Sequence, residues 1–178
     1  MITGGIFITL QIGVIGSGAT TDKKVLALAK SVGEEIAKNN AILITGGIAG
    51  VMEAASFGCA TAKGLSIGVI PTSNKQHANK YCHAVICTAM GLARNALIAS
   101  SSDGLIVIGG EAGTLSEMCL AWQMDRPIVA IKGSGGFADQ FAGKKMDSLR
   151  DNGIIIESAP TPQEAVNLLI RLIREKGD

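Results

Sequence analysis

The chain has few aromatic and few charged residues. Phe, Tyr and Trp make up 3% of its 178 residues, and Asp, Glu, Lys and Arg make up 17%, below the usual quarter. Aliphatic side chains must therefore build the core, which suits a buried parallel sheet packed by helices. A surface with little charge also indicates that other copies of the chain cover part of it. We expect a homo-oligomer, either a dimer or a tetramer.

The chain also lacks an excess of charge of either sign. It has 16 basic and 15 acidic residues and a net charge of +1, so we expect neither a nucleic-acid nor a membrane partner. Uninterrupted apolar stretches such as 105–108 are far shorter than the roughly 20 residues that span a bilayer. The first ten residues are apolar but carry no basic leader. We therefore expect no secretory signal and a cytoplasmic location.

Cysteines are few, and their spacing matches no common metal or redox motif. The four cysteines Cys59, Cys82, Cys87 and Cys119 form no CxxC pair. Cys82, His83 and Cys87 form a small cluster to which the sequence assigns no role, and its spacing is not that of zinc ligands. We expect free thiols in a reducing cytosol and no metal site.

A length of 178 residues allows one domain, 1–178, with a sizeable core. Short apolar runs predict strands at 6–15, 41–45, 65–70, 84–88, 104–108, 127–131 and 153–156. Helical spacing or caps predict helices from about 22 to 38, at 50–62, 92–100 and 114–124, in part of 137–150, and from 161 onward. This alternation is typical of βαβ units. It predicts a Rossmann-like α/β fold with a doubly wound, mainly parallel sheet and helices on both faces.

Three glycine-rich loops follow predicted strands and should meet at one edge of the sheet. Their candidate ligand-binding residues are Gly16, Ser17, Gly18, Gly46, Gly47, Gly109, Gly110, Glu111, Gly113 and Thr114. Glycine permits positive φ and lets backbone N–H groups approach a phosphate. The first loop alone could equally be a tight turn, because the chain has neither a complete GxGxxG fingerprint nor a P-loop. Together the loops predict a site for a phosphate-bearing small molecule such as a nucleotide.

Two charged residues near these loops are candidates for chemistry. Thr114 and Glu117 have the spacing of a helix capping box, which needs no ligand. Thr161 and Glu164 have the same spacing without a glycine loop, and there we predict a purely structural cap. For Glu117 both interpretations stay open. Arg94 offers planar donors suited to phosphate, although spacing alone favours a solvated surface arginine.

Three short elements resemble motifs of the Lonely Guy proteins, a superfamily long labelled lysine decarboxylases. Arg94-Asn95, Ser102-Asp103 and GGEAGTLSE at 109–117 are similar to its RK, SD and PGGxGTxxE elements, and 46–53 is similar to its GGG-and-GLM segment. The resemblance covers most of the chain, from the first strand to about residue 131. The family's enzymes are phosphoribohydrolases that cleave the N-glycosidic bond of nucleoside 5′-monophosphates and need no cofactor.

For this chain the resemblance implies catalytic roles for two residues. Glu117 would stabilise an oxocarbenium-like ribose and assist an attacking water, and Arg94 would help to hold the substrate. The chain departs from the motif in having Gly109 for proline, Glu111 for glycine and Asn95 for lysine. The decarboxylase label finds no support, because no lysine stands in a setting that suggests a pyridoxal Schiff base.

GLARN at 91–95 and IGGEAGTLSE at 108–117 are similar to a sister branch, the molybdenum cofactor carrier-like proteins. This resemblance implies binding of the phosphate-bearing cofactor rather than hydrolysis of a nucleotide. A carboxylate at Glu111 would repel a dianionic monophosphate unless a cation or a hydrogen-bond donor offsets it. We therefore expect a protein that binds a nucleotide or molybdenum cofactor, with a nucleoside-monophosphate phosphoribohydrolase as the alternative.

Overall fold

The computed structural model describes residues 9–150 and 152–177 and confirms the predicted α/β class. One sheet contains the seven strands of the described residues: β1 Gln11–Gly16, β2 Ile42–Thr45, β3 Ser66–Ile70, β4 Ala84–Cys87, β5 Gly104–Ile108, β6 Ile128–Ile131 and β7 Glu157–Ala159. Their spatial order is β4-β3-β2-β1-β5-β6-β7, and all neighbouring pairs are parallel. The chain winds outward from β1 and β5 in both directions, which confirms the doubly wound arrangement.

Helices cover both faces of this sheet. They are α1 Lys23–Lys38, α2 Val51–Thr61, α3 Asn95–Ser101, α4 Ala112–Gln123, α5 Gly136–Phe141 and α6 Pro162–Gly177, with 3₁₀ turns at Lys75–His77 and Gly91–Arg94. Residues of α1, α2 and α6 pack in one buried cluster with Ile12 and Val14, and residues of α3, α4 and α5 pack in another with Ile15. Trp122 is the one aromatic side chain among the buried residues of these two clusters, as the composition predicts.

Polar side chains set the starts of the two longest helices. Asp22, one of the predicted caps, accepts a hydrogen bond from the Lys24 N–H at 2.8 Å. Before α6, the N–H of Glu164 donates to the hydroxyl of Thr161 at 3.3 Å, and that hydroxyl donates to the Glu164 carboxylate at 2.9 Å. The structural cap predicted at this position is therefore confirmed.

Helix α2 is rich in small residues because it lies directly against α1. A Cβ atom on Gly33 of α1 would lie 2.0 Å from the carbonyl oxygen of Ala55, and one on Gly58 of α2 would lie 1.9 Å from that of Lys30. Only hydrogen at both positions allows the two backbones to approach so closely. This contact fixes the start of α2 beside the loop that follows β1, where the Val51 N–H donates to the Ser17 carbonyl.

Several predicted boundaries differ from the structure, including those of the last strand, the helix within 137–150 and the first strand. The last strand is β7 rather than 153–156, because Ile156 is fully buried against the sheet and bridges Lys144 in an antiparallel contact. Within 137–150 the helix ends at Phe141, since Gly143 adopts a φ of +75°. Strand β1 begins at Gln11, and the predicted strand residues 6–8 lie outside the described residues.

Candidate functional site

A cavity of about 230 Å³ lies where the carboxyl ends of β1 and β5 diverge. Open α/β sheets bind ligands at this switch point of the strand order. Nine of the predicted site residues line this cavity. They come from the three predicted glycine-rich loops and include both charged candidates. They are Gly16, Ser17, Gly18, Gly46, Arg94, Glu111, Gly113, Thr114 and Glu117.

The three remaining predicted residues lie outside this lining and shape turns. The Gly47 carbonyl accepts a hydrogen bond from the Asn79 N–H at 2.8 Å. The Gly109 N–H donates to the Ser134 hydroxyl at 2.8 Å. Gly47, Gly109 and Gly110 have φ values of +71°, +58° and +99°, which favour glycine. These three glycines therefore allow the backbone turns that follow β2 and β5.

The first turn of α4, whose Gly113 and Thr114 line the cavity, has unpaired backbone donors. Leu115 is the first residue whose N–H donates to a backbone carbonyl, that of Glu111. Among the described residues, the N–H groups of 112, 113 and 114 have no acceptor. A Cβ atom on Gly113 would have no atom within 4 Å, so this turn is open. Free N–H groups and the positive end of the helix dipole together attract an anion.

The same turn excludes the capping-box interpretation of Glu117. Helix α4 begins at Ala112, and Glu111 rather than Thr114 stands at the capping position, where its side chain makes no cap bond. Thr114 and Glu117 thus do not form a capping box. Instead, the carboxylate of Glu117 pairs with the guanidinium of Arg94, with Nη1 and Oε1 3.0 Å apart.

Arg94 is largely buried rather than solvated, so the surface interpretation that spacing favoured is wrong. Its side chain is 11% exposed, and that of Glu117 is 9% exposed. Nη1 of Arg94 also donates to Oδ1 of Asn95, whereas Nε is buried without a partner in the described residues. A Cβ atom on Gly46 would lie 2.5 Å from Nη2, so a larger residue in the loop after β2 would displace the guanidinium from its present position.

Burial dominates the electrostatics of Glu117. It raises the pKa of this carboxyl from 4.5 to about 7, and the nearby Arg94 cation offsets only part of that effect. At neutral pH the group is therefore close to half protonated. A carboxyl group in this state can both give and accept a proton, and such groups are enriched in functional sites.

The lining carries more acid than base. Arg94 is its one cation among the described residues, and Glu111 and Glu117 are both acidic. Sequence reasoning missed four further lining residues of interest, Ala19, Met52, Leu92 and Asn95. Of these, Asn95 had a signal in the sequence, since it replaces the lysine of the hydrolase motif.

The four cysteines are free thiols, as predicted. Cys82, His83 and Cys87 have separate surroundings: the thiol of Cys82 lies 3.8 Å from the Ser56 hydroxyl, His83 Nδ1 lies 3.3 Å from the Ser66 hydroxyl, and Cys87 is exposed. Within residues 9–150 and 152–177, no three His, Cys, Asp or Glu residues are grouped as a metal site would require. None of the helices in this part of the chain has the length and hydropathy of a bilayer-spanning segment.

Two related proteins align over most of the chain. An uncharacterized protein of Archaeoglobus fulgidus is 38% identical over 164 residues, which are 90% of this chain and 95% of the relative. The cytokinin riboside 5′-monophosphate phosphoribohydrolase of Mycobacterium tuberculosis is 29% identical over 162 residues, 86% of this chain and 84% of the enzyme.

Solved structures extend this relationship. The molybdenum cofactor carrier protein of Chlamydomonas reinhardtii superposes with a TM-score of 0.79 at 32% identity, covering 94% of this chain and 99% of that one. The molybdenum cofactor binding protein of Rippkaea orientalis gives 0.80 at 30%, covering 93% and 98%. DNA processing protein A of Streptococcus pneumoniae gives 0.66 at 22%, covering 89% and 61%, which shows a shared fold alone.

These comparisons confirm the resemblance to the Lonely Guy superfamily and to its molybdenum cofactor carrier branch. A family model described as LDcluster4, SLOG cluster4 family, matches residues 9–166. That match contains β1 to β7 and every lining residue of the cavity. The chain belongs to the SLOG cluster4 family.

Proposed function

We propose that this protein binds a phosphate-bearing small molecule, molybdenum cofactor or a nucleotide, in the cavity between β1 and β5. The observation that carries the proposal is the first turn of α4, whose N–H groups at 112–114 have no acceptor among the described residues and whose Gly113 and Thr114 line the cavity. A phosphate supplies the acceptors that these donors lack, and its charge suits the helix N-terminus. The carrier and cofactor-binding proteins superposed above support the same class of ligand.

The donor set of the cavity fits the organic part of molybdenum cofactor. The α4 turn suits the phosphate, and the small residues Gly16, Gly18 and Ala19 leave room on one wall for a flat ring system. No cysteine belongs to the described lining, so the chain offers no thiolate to the metal. The cofactor would thus be held as cargo through its phosphate and ring, and we propose no catalytic role for it here.

Ligand retention tests this proposal. The protein is purified from cells that make molybdenum cofactor, and bound pterin and molybdenum are quantified by fluorescence and by mass spectrometry. We expect retention by the native protein and its loss in Gly113→Ala, which adds a methyl group with no protein atom within 4 Å to a residue of the cavity lining. Ser100→Ala, an exposed change on α3, is the matched control. Equal pterin in native protein and Gly113→Ala would contradict the proposed site.

A second candidate function is hydrolysis of nucleoside 5′-monophosphates, and one specific observation favours it. The buried carboxyl of Glu117 has a pKa of about 7 and lies 3.0 Å from the Arg94 guanidinium. In its ionised form Glu117 would stabilise positive charge on the ribose and accept a proton from the attacking water. Water would add to C1′ as the N-glycosidic bond breaks, and the released base would take up a proton. Glu111 weighs against this reaction, because it adds negative charge beside the phosphate.

Release of free base distinguishes the two functions. A panel of nucleoside monophosphates is incubated with the native protein, with Glu117→Gln and with Glu164→Gln. Glu164 is the matched control because its carboxylate serves only the cap of α6. Base released by the native protein and by Glu164→Gln, but not by Glu117→Gln, would establish hydrolysis and exclude binding as the sole function. If no base is released and a phosphate-bearing ligand is retained, the hydrolase candidate is wrong.

We also propose a homo-oligomer in a reducing cytoplasm, without a nucleic-acid partner. Ile86, Met90 and Leu92, on and just after the edge strand β4, are 50%, 47% and 83% exposed, and a second copy would remove these apolar side chains from water. The free thiols suit a reducing compartment, and the near-neutral charge does not favour nucleic acid. Elution at about 18 kDa from a sizing column would contradict the oligomer, since that is the mass of one chain.

A further inference from the structure

Asn95 is a buried polar residue, and the proposed ligand binding does not by itself explain its presence. It is the first residue of α3, is 6% exposed and lines the cavity. Asparagine is a weak helix former, and a buried amide is unfavourable unless its donors and acceptor are paired. The side chain of Asn95 finds its partners on Arg94 and on α4.

Both ends of the Asn95 amide are engaged. Oδ1 accepts a hydrogen bond from Nη1 of Arg94. Nδ2 donates to the hydroxyl of Ser116 at 2.8 Å and to the carbonyl of Gly113 at 3.4 Å, and the Ser116 hydroxyl donates to the same carbonyl at 2.6 Å. A flipped amide would set its NH₂ against the guanidinium donors and its oxygen against the Gly113 carbonyl. The chemistry of the partners therefore fixes its orientation.

The guanidinium of Arg94 is held between two acceptors. Nη1 donates to Asn95 and, at 3.0 Å, to Oε1 of Glu117. On its other side Nη2 lies against Gly46, where an added Cβ atom would lie 2.5 Å from it and displace the guanidinium. Asn95 thereby links the cation to the first turn of α4, whose N–H groups at 112–114 have no acceptor among the described residues.

We propose that Asn95 is a positioning residue, which fixes the Arg94 guanidinium beside Glu117 and in register with the anion-binding turn of α4. This role rests on the proposed binding site, since it explains how the site's one cation among the described lining residues is held in place. The lysine of the hydrolase motif could not accept a hydrogen bond from arginine, so asparagine at this position gives the chain a different support for its cation.

A purely structural link between α3 and α4 makes a different prediction from a positioning role. Loss of a structural link would lower the free energy of unfolding and leave the charges of the cavity in place. Loss of a positioning residue would let the Arg94 cation move away from Glu117, and the pKa of Glu117 would rise because that cation lowers it. The other charged group of the described cavity lining is Glu111, which none of these changes alters.

The pKa of Glu117 in the ligand-free protein is the deciding measurement. It is read from the carboxyl carbon shift in an NMR titration of the native protein, Asn95→Ala and Ser116→Ala. We expect an upward shift of about half to one pH unit for Asn95→Ala and a smaller one for Ser116→Ala. The amide shifts of residues 112–114 report binding of inorganic phosphate, for which we expect a roughly tenfold loss of affinity in Asn95→Ala. Ser116 is exposed and bonds the same amide, so Ser116→Ala tests the link from α4 if Asn95→Ala does not fold.

Asn152→Ala is the control for general loosening of the fold. Its amide donates to the Trp122 carbonyl at 3.0 Å and accepts from the Ile154 N–H at 3.1 Å, and it is not part of the cavity lining. An unchanged or lowered Glu117 pKa in both test variants would overturn the positioning role, as would an equal shift in Asn152→Ala. If the pKa rises as expected but the native protein binds no phosphate-bearing ligand, the positioning role stands and the proposed function falls.

Discussion

The buried carboxyl of Glu117 should make the protein less stable as the pH rises from about 4.5 to 7. Its pKa is 4.5 when exposed and about 7 in the folded protein, where burial outweighs the attraction of Arg94. Between these two values the folded chain keeps a proton that the unfolded chain has lost, so stability falls as the pH rises. Above pH 7 both states are ionised at this group, and its contribution becomes constant.

The size of this effect follows from the difference between the two pKa values. One pKa unit corresponds to about 1.4 kcal/mol, so burial of Glu117 lowers the free energy of unfolding by about 3 kcal/mol between pH 4.5 and pH 8. Urea unfolding followed by the fluorescence of Trp122, the single tryptophan and a buried one, measures that free energy at each pH.

Comparison with Glu117→Gln isolates the contribution of this one group. Gln cannot ionise, so its burial adds no pH dependence. From pH 4.5 to pH 8 the free energy of unfolding of the variant should therefore rise by about 3 kcal/mol relative to that of the native protein. Glu164→Gln, in the cap of α6, should show no such trend. If plots of unfolding free energy against pH stay parallel for Glu117→Gln and native protein over this range, the pKa of Glu117 is not raised in the folded protein.

Three further changes test the geometry. Gly46→Ala places a methyl group 2.5 Å from Nη2 of Arg94, so we expect at least a tenfold loss of phosphate affinity in an NMR titration with an unchanged circular dichroism spectrum. Gly58→Ala forces α1 and α2 apart and should lower the free energy of urea unfolding by more than about 3 kcal/mol. Gly113→Ala should not lower it, because no atom lies within 4 Å of the added Cβ. Asp22→Ala removes the cap of α1 and should cost about 1 kcal/mol by the same assay, and a value near zero would contradict the cap.

The sequence predicts the central part of this fold well because the signals there are local. Each inner strand is a short apolar run, and the switch point follows from parallel strands joined by helices. The same two signals are enough to place the loops after β1 and β5 at one edge of the sheet. At the outer strand this reasoning fails: β7 is a three-residue polar strand, while the more apolar run ending at Ile156 packs as a loop.

Glycine patterns predict the site only in part. Gly18 and Gly46 border the cavity, and Gly47, Gly109 and Gly110 do not, although all five lie in glycine-rich loops that follow a strand. A turn with positive φ and a wall that must approach a ligand both select glycine, so the residue type alone does not separate the two uses. The two uses differ in whether the Cα–H bond points toward the cavity, and that direction depends on the tertiary structure.

The pairing of Arg94 with Glu117 depends on contacts that no local pattern encodes. The two residues are 23 positions apart and meet because α3 and α4 pack together over β1. Helix α4 also begins two residues earlier than Thr114, which removes Thr114 from the capping position. A local pattern fits both Thr161-x-x-Glu164 and Thr114-x-x-Glu117, and only the helix start distinguishes a cap from a cavity carboxylate.

The protonation of Glu117 links the two candidate functions to opposite pH ranges. When Glu117 is ionised it neutralises Arg94, and with Glu111 it leaves the described lining net negative; when it is protonated, the Arg94 cation is available to a phosphate. Binding of an anion and uptake of a proton by Glu117 therefore favour each other. A carrier should retain its ligand more tightly below pH 7, and the difference should vanish in Glu117→Gln. A hydrolase needs the ionised carboxylate while the phosphate is bound, so its rate should rise through pH 7 instead.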